Sequence, residues 1–218
     1  KKWFTNTNKY GIIGVIMLEK LLSKRNQILQ FEEDVFPDKE LVKSLIQKTH
    51  ELVSSKQNLM PYEVIVLGPD KIEEKKELFE LSQNTQSAES NFTNSYHNRQ
   101  LLAPYVLIFT QRLAFPPNLY VQKLIKKGRE YKECNPLEYK KCRNIPAIEV
   151  GMFMLILTGL CLENNIDVSY TACLPWNQER FTFINEDLYI SMSLGYKRYK
   201  RARNGEHKPH VDEIITWL

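Results

Sequence analysis

The stretch from Ile145 to Leu162 is the most apolar in the chain, and it restricts the fold more than any other feature. It is far longer than a typical strand of about five or six residues. Glu149 interrupts it, and the unbroken part from Val150 falls short of the roughly 20 apolar residues that cross a bilayer. The stretch therefore predicts a helix buried in a globular core. Such a core is affordable, because 43% of the 218 residues are hydrophobic and 11% aromatic. That length fits one large domain or two small ones.

The segments around this helix alternate between helical and extended patterns. Ile13, Ile16, Met17 and Leu21 recur at helical spacing and predict a first helix from Tyr10 to Ser23. The run Lys1 to Lys24 has no small-residue cleavage site after its apolar part, so it reads as helix and not as a signal peptide. Pro37-Asp38 is a helix start with Asp38 as cap, and Leu41, Leu45, Ile46 and Leu52 mark an apolar face ending near Ser54-Ser55. Pro61 to Leu67 reads as a strand, Gly68-Pro69-Asp70 as a turn, and Lys71 to about Leu81 as a charged helix. Gln83 to Asn98 is rich in Ser, Asn and Thr and predicts a loop. Tyr105 to Thr110 predicts a second strand, and both strands are apolar enough to be expected inside a sheet and not at its edge. Ile166 to Cys173 and Leu188 to Leu194 predict two more, and Val211 to Leu218 is expected to add an edge strand or reach a partner.

Charge and cysteine usage exclude some classes of function. The net charge of +4 is mild and does not demand a polyanionic partner, although a phosphate-bearing ligand is compatible with it. Cys134, Cys142, Cys161 and Cys173 lack the close pairing of zinc or redox motifs, so they read as reduced thiols of a cytoplasmic protein and no metal is expected. His50, His97 and His210 have no nucleophile or ligand pattern around them. Residues 113–144 read as a lid-like excursion from a single domain spanning 1–218. Its lysines, among them Lys126 and Lys127, interleave with Tyr120, Tyr131 and Tyr139 as in nucleic-acid binders. Periodic lysines on an exposed helix give the same texture, and nucleic-acid binding is the weaker reading.

Five short strings, in order along nearly the whole chain, resemble the nitroreductase-like superfamily of FMN-dependent flavoproteins. Arg25-Asn26-Gln27-Ile28-Leu29-Gln30-Phe31 is similar to its opening Arg-Arg-Ser-x-Arg-x-Phe, with Gln27 in place of the serine and Leu29 in place of the second basic residue. Val53-Ser54-Ser55-Lys56-Gln57-Asn58-Leu59-Met60-Pro61-Tyr62 resembles Pro-Ser-Ser-x-Asn-x-Gln-Pro-Trp with one extra residue. Asn98 to Pro104 resembles the polar stretch and Ala-Pro before the family's next strand. Glu149-Val150-Gly151 is similar to the opening of its long central dimer helix, and Tyr170-Thr171-Ala172 falls on the strand that follows. Ser193-Leu194-Gly195-Tyr196, Lys208-Pro209 and Asp212 to Trp217 resemble its closing motifs.

The resemblance implies an α+β fold, with a central, mostly antiparallel sheet flanked by helices, and an intertwined homodimer. It implies FMN as cofactor. Arg25 would grip the phosphate, with Asn26 and Gln27 beside it. Ser54, Ser55 and Asn58 would lie against the flavin, and Arg99 near its pyrimidine edge. A backbone N–H of Tyr170, Thr171 or Ala172 would face flavin N5, and His207 and Lys208 would stand near the phosphate. The implied activity is a ping-pong oxidoreduction in which NAD(P)H reduces the flavin and a small organic acceptor, such as a nitroaromatic or quinone, reoxidises it. No catalytic side chain is needed. A divergent protein that keeps the fold as a binding module without redox turnover is the alternative.

Overall fold

In the computed structural model, which describes residues 19–55, 60–86, 98–112, 136–172, 174, 181–184, 188–200 and 211–216, Asp38 opens the first long helix as expected. Helix α1 spans Lys39–Leu52, and the Asp38 carboxylate accepts from the backbone N–H groups of Glu40 and Leu41 at 2.9 and 3.0 Å. This satisfies two of the donors that a helix start leaves unpaired. Its buried face is carried by Val42, Leu45 and Thr49, whereas Leu52, expected on that face, is exposed because it lies in the last turn.

The sheet has four strands: β2 (Tyr62–Leu67), β3 (Tyr105–Gln111), β4 (Asp167–Thr171) and β5 (Leu188–Gly195). They run in the order β2-β3-β5-β4, and every pairing is antiparallel. A separate antiparallel pair joins β1 (Ile28–Phe31) to β6 (Lys197–Lys200), two short strands the sequence patterns do not announce. The expectation that β2 is internal is overturned, because among the described residues it forms one edge. Hydropathy reports how the faces of a strand are covered, and Tyr62 and Leu67 are indeed buried. It carries no signal for whether a neighbour hydrogen-bonds along the edge.

Register decides which side chains share a face. Val168 pairs with Leu194 and Tyr170 with Met192, and this face packs with Leu107 and Phe109 against α1 and α3 (Pro136–Glu163). Ser169 pairs with Ser193 and Thr171 with Ser191 on the opposite face. There Leu67, Val106 and Ile108 lie beneath Leu78 of α2 (Ile72–Gln86), Leu101, and Ile28 and Phe31 of β1. Helix α2 extends five residues past the expected end, so 83–86 are helical and not loop; residues 87–97 lie outside the described residues.

Helix α3 is the predicted apolar helix, and it begins nine residues earlier than Ile145, at Pro136, a residue suited to the first helical turn. The final part of the expected excursion is thus helix, and residues 113–135, including Lys126 and Lys127, lie outside the described residues. The tail turn Val211–Ile214, α4, is helical, which corrects the edge-strand alternative for those residues. None of the described helices is long and apolar enough to cross a membrane.

Two close fits fix the end of the sheet. A Cβ on Gly195 would stand 2.9 Å from both Phe31 Cδ1 and Pro104 Cδ, so only glycine lets β1 and the chain before β3 approach β5 there. Buried Lys75 donates from Nζ to the carbonyls of Ala103 and Pro104 at 3.1 and 3.2 Å, holding the end of the 3-10 turn Arg99–Leu102. Burial pulls its pKa down.

Burial also sets the response to alkali. It pushes the Cys161 thiol up to about 12, and burial with nearby Glu149 pushes the Tyr62 phenol up to about 12. Both groups ionise in the unfolded chain at ordinary values, near 8.5 and 10, while the native state keeps their protons. Their contribution to stability is therefore complete below about pH 8.5 and is lost as pH rises towards 12. Urea midpoints measured from pH 8 to 11 are expected to fall steadily, and Cys161→Val is expected to flatten the early part of the decline; equal slopes in both proteins would contradict the assignment.

Candidate ligand site at the β4 edge

The Arg25-Asn26-Gln27 segment enters β1, and β1 lies beside β4, the other edge of the sheet. The Gln27 amide donates from Nε2 to Ser169 Oγ at 3.0 Å and to the Tyr170 carbonyl at 3.4 Å. That second bond orients the strand. A residue in a strand points its N–H and C=O to the same side, so Tyr170 turns these groups away from β5. Thr171 turns its own towards β5, and its carbonyl accepts from Ser191 Oγ at 3.2 Å. Of the three backbone donors expected here, that of Tyr170 faces away from β5, that of Thr171 faces β5, and Ala172 follows the end of the strand.

Arg25 is half-buried, with its guanidinium carbon 5.7 Å from the centroid of the Tyr170 ring. No carboxylate among the described residues is paired with it. Asn26 is turned away into a local bond, donating from Nδ2 to the Lys24 carbonyl at 2.9 Å. Arg99 is half-buried at the head of the 3-10 turn, and the next residue ties that turn to the site. Gln100 donates from Nε2 to Thr171 Oγ1 at 3.0 Å and lies 3.4 Å from Asn98 Oδ1. Asn98 itself sits in the left-handed region at φ 61°.

The structure thus gathers Arg25, Gln27, Tyr170, Thr171, Ala172 and the Arg99 turn at one edge. Ser54 and Ser55 stand elsewhere, after α1 on the path into β2 at the opposite edge. Ser55 Oγ accepts from the Met60 backbone N–H at 2.9 Å, an internal structural bond. Beside this segment lies a cavity of about 600 Å³ lined by Ile46, His50, Glu51, Tyr62, Arg112 and Phe153, among others. Three inter-strand steps, roughly 14 Å in all, separate β2 from β4. Asn58, His207 and Lys208 lie outside the described residues.

Three members of the cluster went unnamed as site residues at the sequence level, Asn98, Gln100 and Ser169. Gln100 lies in the string Asn98-Arg99-Gln100, yet nothing in a single glutamine distinguishes a buried strut from a surface amide. Burial does distinguish it: Gln100 Oε1 and Asn98 Nδ2 are enclosed without a hydrogen-bond partner among the described residues. Such atoms cost roughly 1–3 kcal/mol each unless a ligand or water meets them. Among the described residues no cluster of histidine, cysteine or carboxylate side chains has the arrangement of a metal centre.

No family model matches the chain, and no curated protein matches it by sequence. Solved structures do match over almost its full length. A nitroreductase with bound FMN from Desulfitobacterium hafniense is 15% identical, with a TM-score of 0.61 over 93% of this chain and 98% of its own. A nitroreductase-like protein from Streptococcus mutans is 16% identical, with a TM-score of 0.62 over 92% and 97%. The nitroreductase CinD from Lactococcus lactis, in complex with nicotinic acid, is 13% identical, with a TM-score of 0.61 over 92% and 98%.

Proposed function

On the premise that the chain has the nitroreductase fold, as those structural likenesses establish, we propose that it is an FMN-dependent oxidoreductase acting as a homodimer. The observation that carries this reading is the β4 edge, where Tyr170 turns its backbone away from β5 beside Arg25, which pairs with no carboxylate among the described residues. The donor set fits FMN. Arg25 would take the phosphate, the backbone N–H of Ala172 or Tyr170 would face the flavin ring, and Arg99 would bring positive charge to its pyrimidine side. Gln27 and the unpartnered atoms of Gln100 and Asn98 offer further polar contacts nearby. When bound, FMN would supply the redox chemistry, accepting hydride from NAD(P)H and passing electrons to a small organic acceptor in alternate visits.

The chain's own residues bind, orient and exclude water, and no side chain needs to transfer a proton. Two observations support the dimer. Ile148, Met152 and Leu155, spaced along one face of α3, are 63%, 38% and 57% exposed, and a Cβ on the adjacent Gly151 would meet nothing within 4 Å. An apolar, close-approach helix face of this kind is suited to a second copy. The separation of Ser54 and Ser55 from the β4 edge within one chain also fits a site that each copy completes for the other.

The test is the visible absorption spectrum of the purified protein, taken before and after FMN is added and the excess removed. Retained flavin bands are expected. A protein that stays colourless and refuses FMN would leave the fold in place but move the function to a non-redox binding module.

A further inference from the structure

We propose that the Tyr170 side chain is a positioning residue that holds Arg25 ready for an anionic phosphate and so makes the site prefer phosphorylated flavin over the unphosphorylated form. This inference rests on the flavin reading above.

The argument begins with Thr158. Its hydroxyl donates to the Met154 carbonyl at 2.7 Å within α3, which commits its one proton. The Tyr170 hydroxyl, in hydrogen-bond contact with the same Thr158 oxygen, must therefore be the donor. This bond pins the Tyr170 ring between β4 and α3, on the face where Met192 and Phe153 pack. The pinned ring then offers its face to the Arg25 guanidinium at 5.7 Å, inside the range of a cation–π contact.

An arginine usually finds its place by pairing with a carboxylate, and such a pair would compete with a phosphate for its N–H groups. A ring face holds the cation without supplying an acceptor. The N–H donors stay available for the paired hydrogen bonds that guanidinium makes with phosphate. The contact also restrains a long side chain before the ligand arrives, which reduces the ordering cost of binding. A second mooring point reinforces this: the Arg25 backbone N–H donates to the Leu22 carbonyl at 3.1 Å, fixing the root of the side chain.

The experiment compares FMN with riboflavin, which lacks the phosphate, by flavin-fluorescence titration of the wild type, Tyr170→Phe, Tyr170→Leu and Arg25→Ala. Wild type is expected to favour FMN strongly. Tyr170→Leu should weaken FMN binding about tenfold more than it weakens riboflavin binding. Tyr170→Phe keeps the ring and should lose only about twofold to threefold. In the Arg25→Ala background, Tyr170→Leu should weaken FMN no more than riboflavin. Should Tyr170→Leu not fold, Thr158→Val unpins the ring and should show the same FMN-selective loss, smaller in size.

Equal weakening of FMN and riboflavin in Tyr170→Leu would overturn the inference, since the residue would then act on the ring system or the fold. Unchanged binding of both would overturn it as well. A wild type that binds riboflavin as tightly as FMN would sink the inference and leave the flavin reading standing. A wild type that binds neither would remove both together.

Discussion

Aspartate at both Met152 and Leu155 is expected to turn a dimer into a monomer that no longer retains FMN. The two side chains lie on the exposed apolar face of α3, so within one chain the substitutions meet water and the fold should survive with an unchanged circular dichroism spectrum. In a dimer each would leave an unpaired carboxylate in a desolvated interface, at a cost of about 3 kcal/mol. Even two such charges, half of the four that a homodimer would carry, weaken association by roughly four orders of magnitude. Light scattering behind a sizing column reads the mass, and the absorption of the eluted peak reads the flavin. Wild type eluting as a monomer would break the proposed assembly at once. A dimeric double variant would place the interface elsewhere.

Phe153→Ala is expected to lower stability by about 3–5 kcal/mol, which for a domain of this size corresponds to roughly 10 °C in melting temperature. Phe153 faces the other way from Met152, into the core, where it is 2% exposed. It stands edge-on to Tyr62 at 5.8 Å and to Phe109 at 5.6 Å, so it joins the edge strand β2 and the inner strand β3 to the long helix. Truncation would open a void at a point where three elements meet and none can close alone. It also lines the cavity beside the Ser54-Ser55 segment. Differential scanning calorimetry checks the effect; a drop below about 1 kcal/mol would mean that the neighbours collapse into the space.

Met152 and Phe153, adjacent along the chain, mark where sequence-level reasoning stops. The apolar run of α3 announced a helix, and its length and the acid at Glu149 excluded a membrane span. It could not say that the helix has two apolar faces, one buried and one exposed, because hydropathy is blind to which face meets the sheet. Asp38 as a cap and the strands at Tyr62, Tyr105, Asp167 and Leu188 were legible, since capping chemistry and β-branched runs act over a few residues. The short strands β1 and β6 were not, because four-residue segments carry too little pattern and owe their pairing to a register set between Ile28 and Lys200.

The site divides in the same way. The residue types were readable as motifs: an arginine, a polar turn and a strand edge appear in order along the chain. Their association was decided by tertiary structure, because it depends on bonds spanning 142 positions from Gln27 to Ser169 and 71 from Gln100 to Thr171. The sequence by itself determined the elements and the chemistry each can offer, since these follow from local propensity and side-chain type. Only the folded chain decided that Tyr170, and not Thr171, turns its backbone groups away from β5. Strand alternation fixes that choice, and its phase is set by which neighbour the strand pairs with.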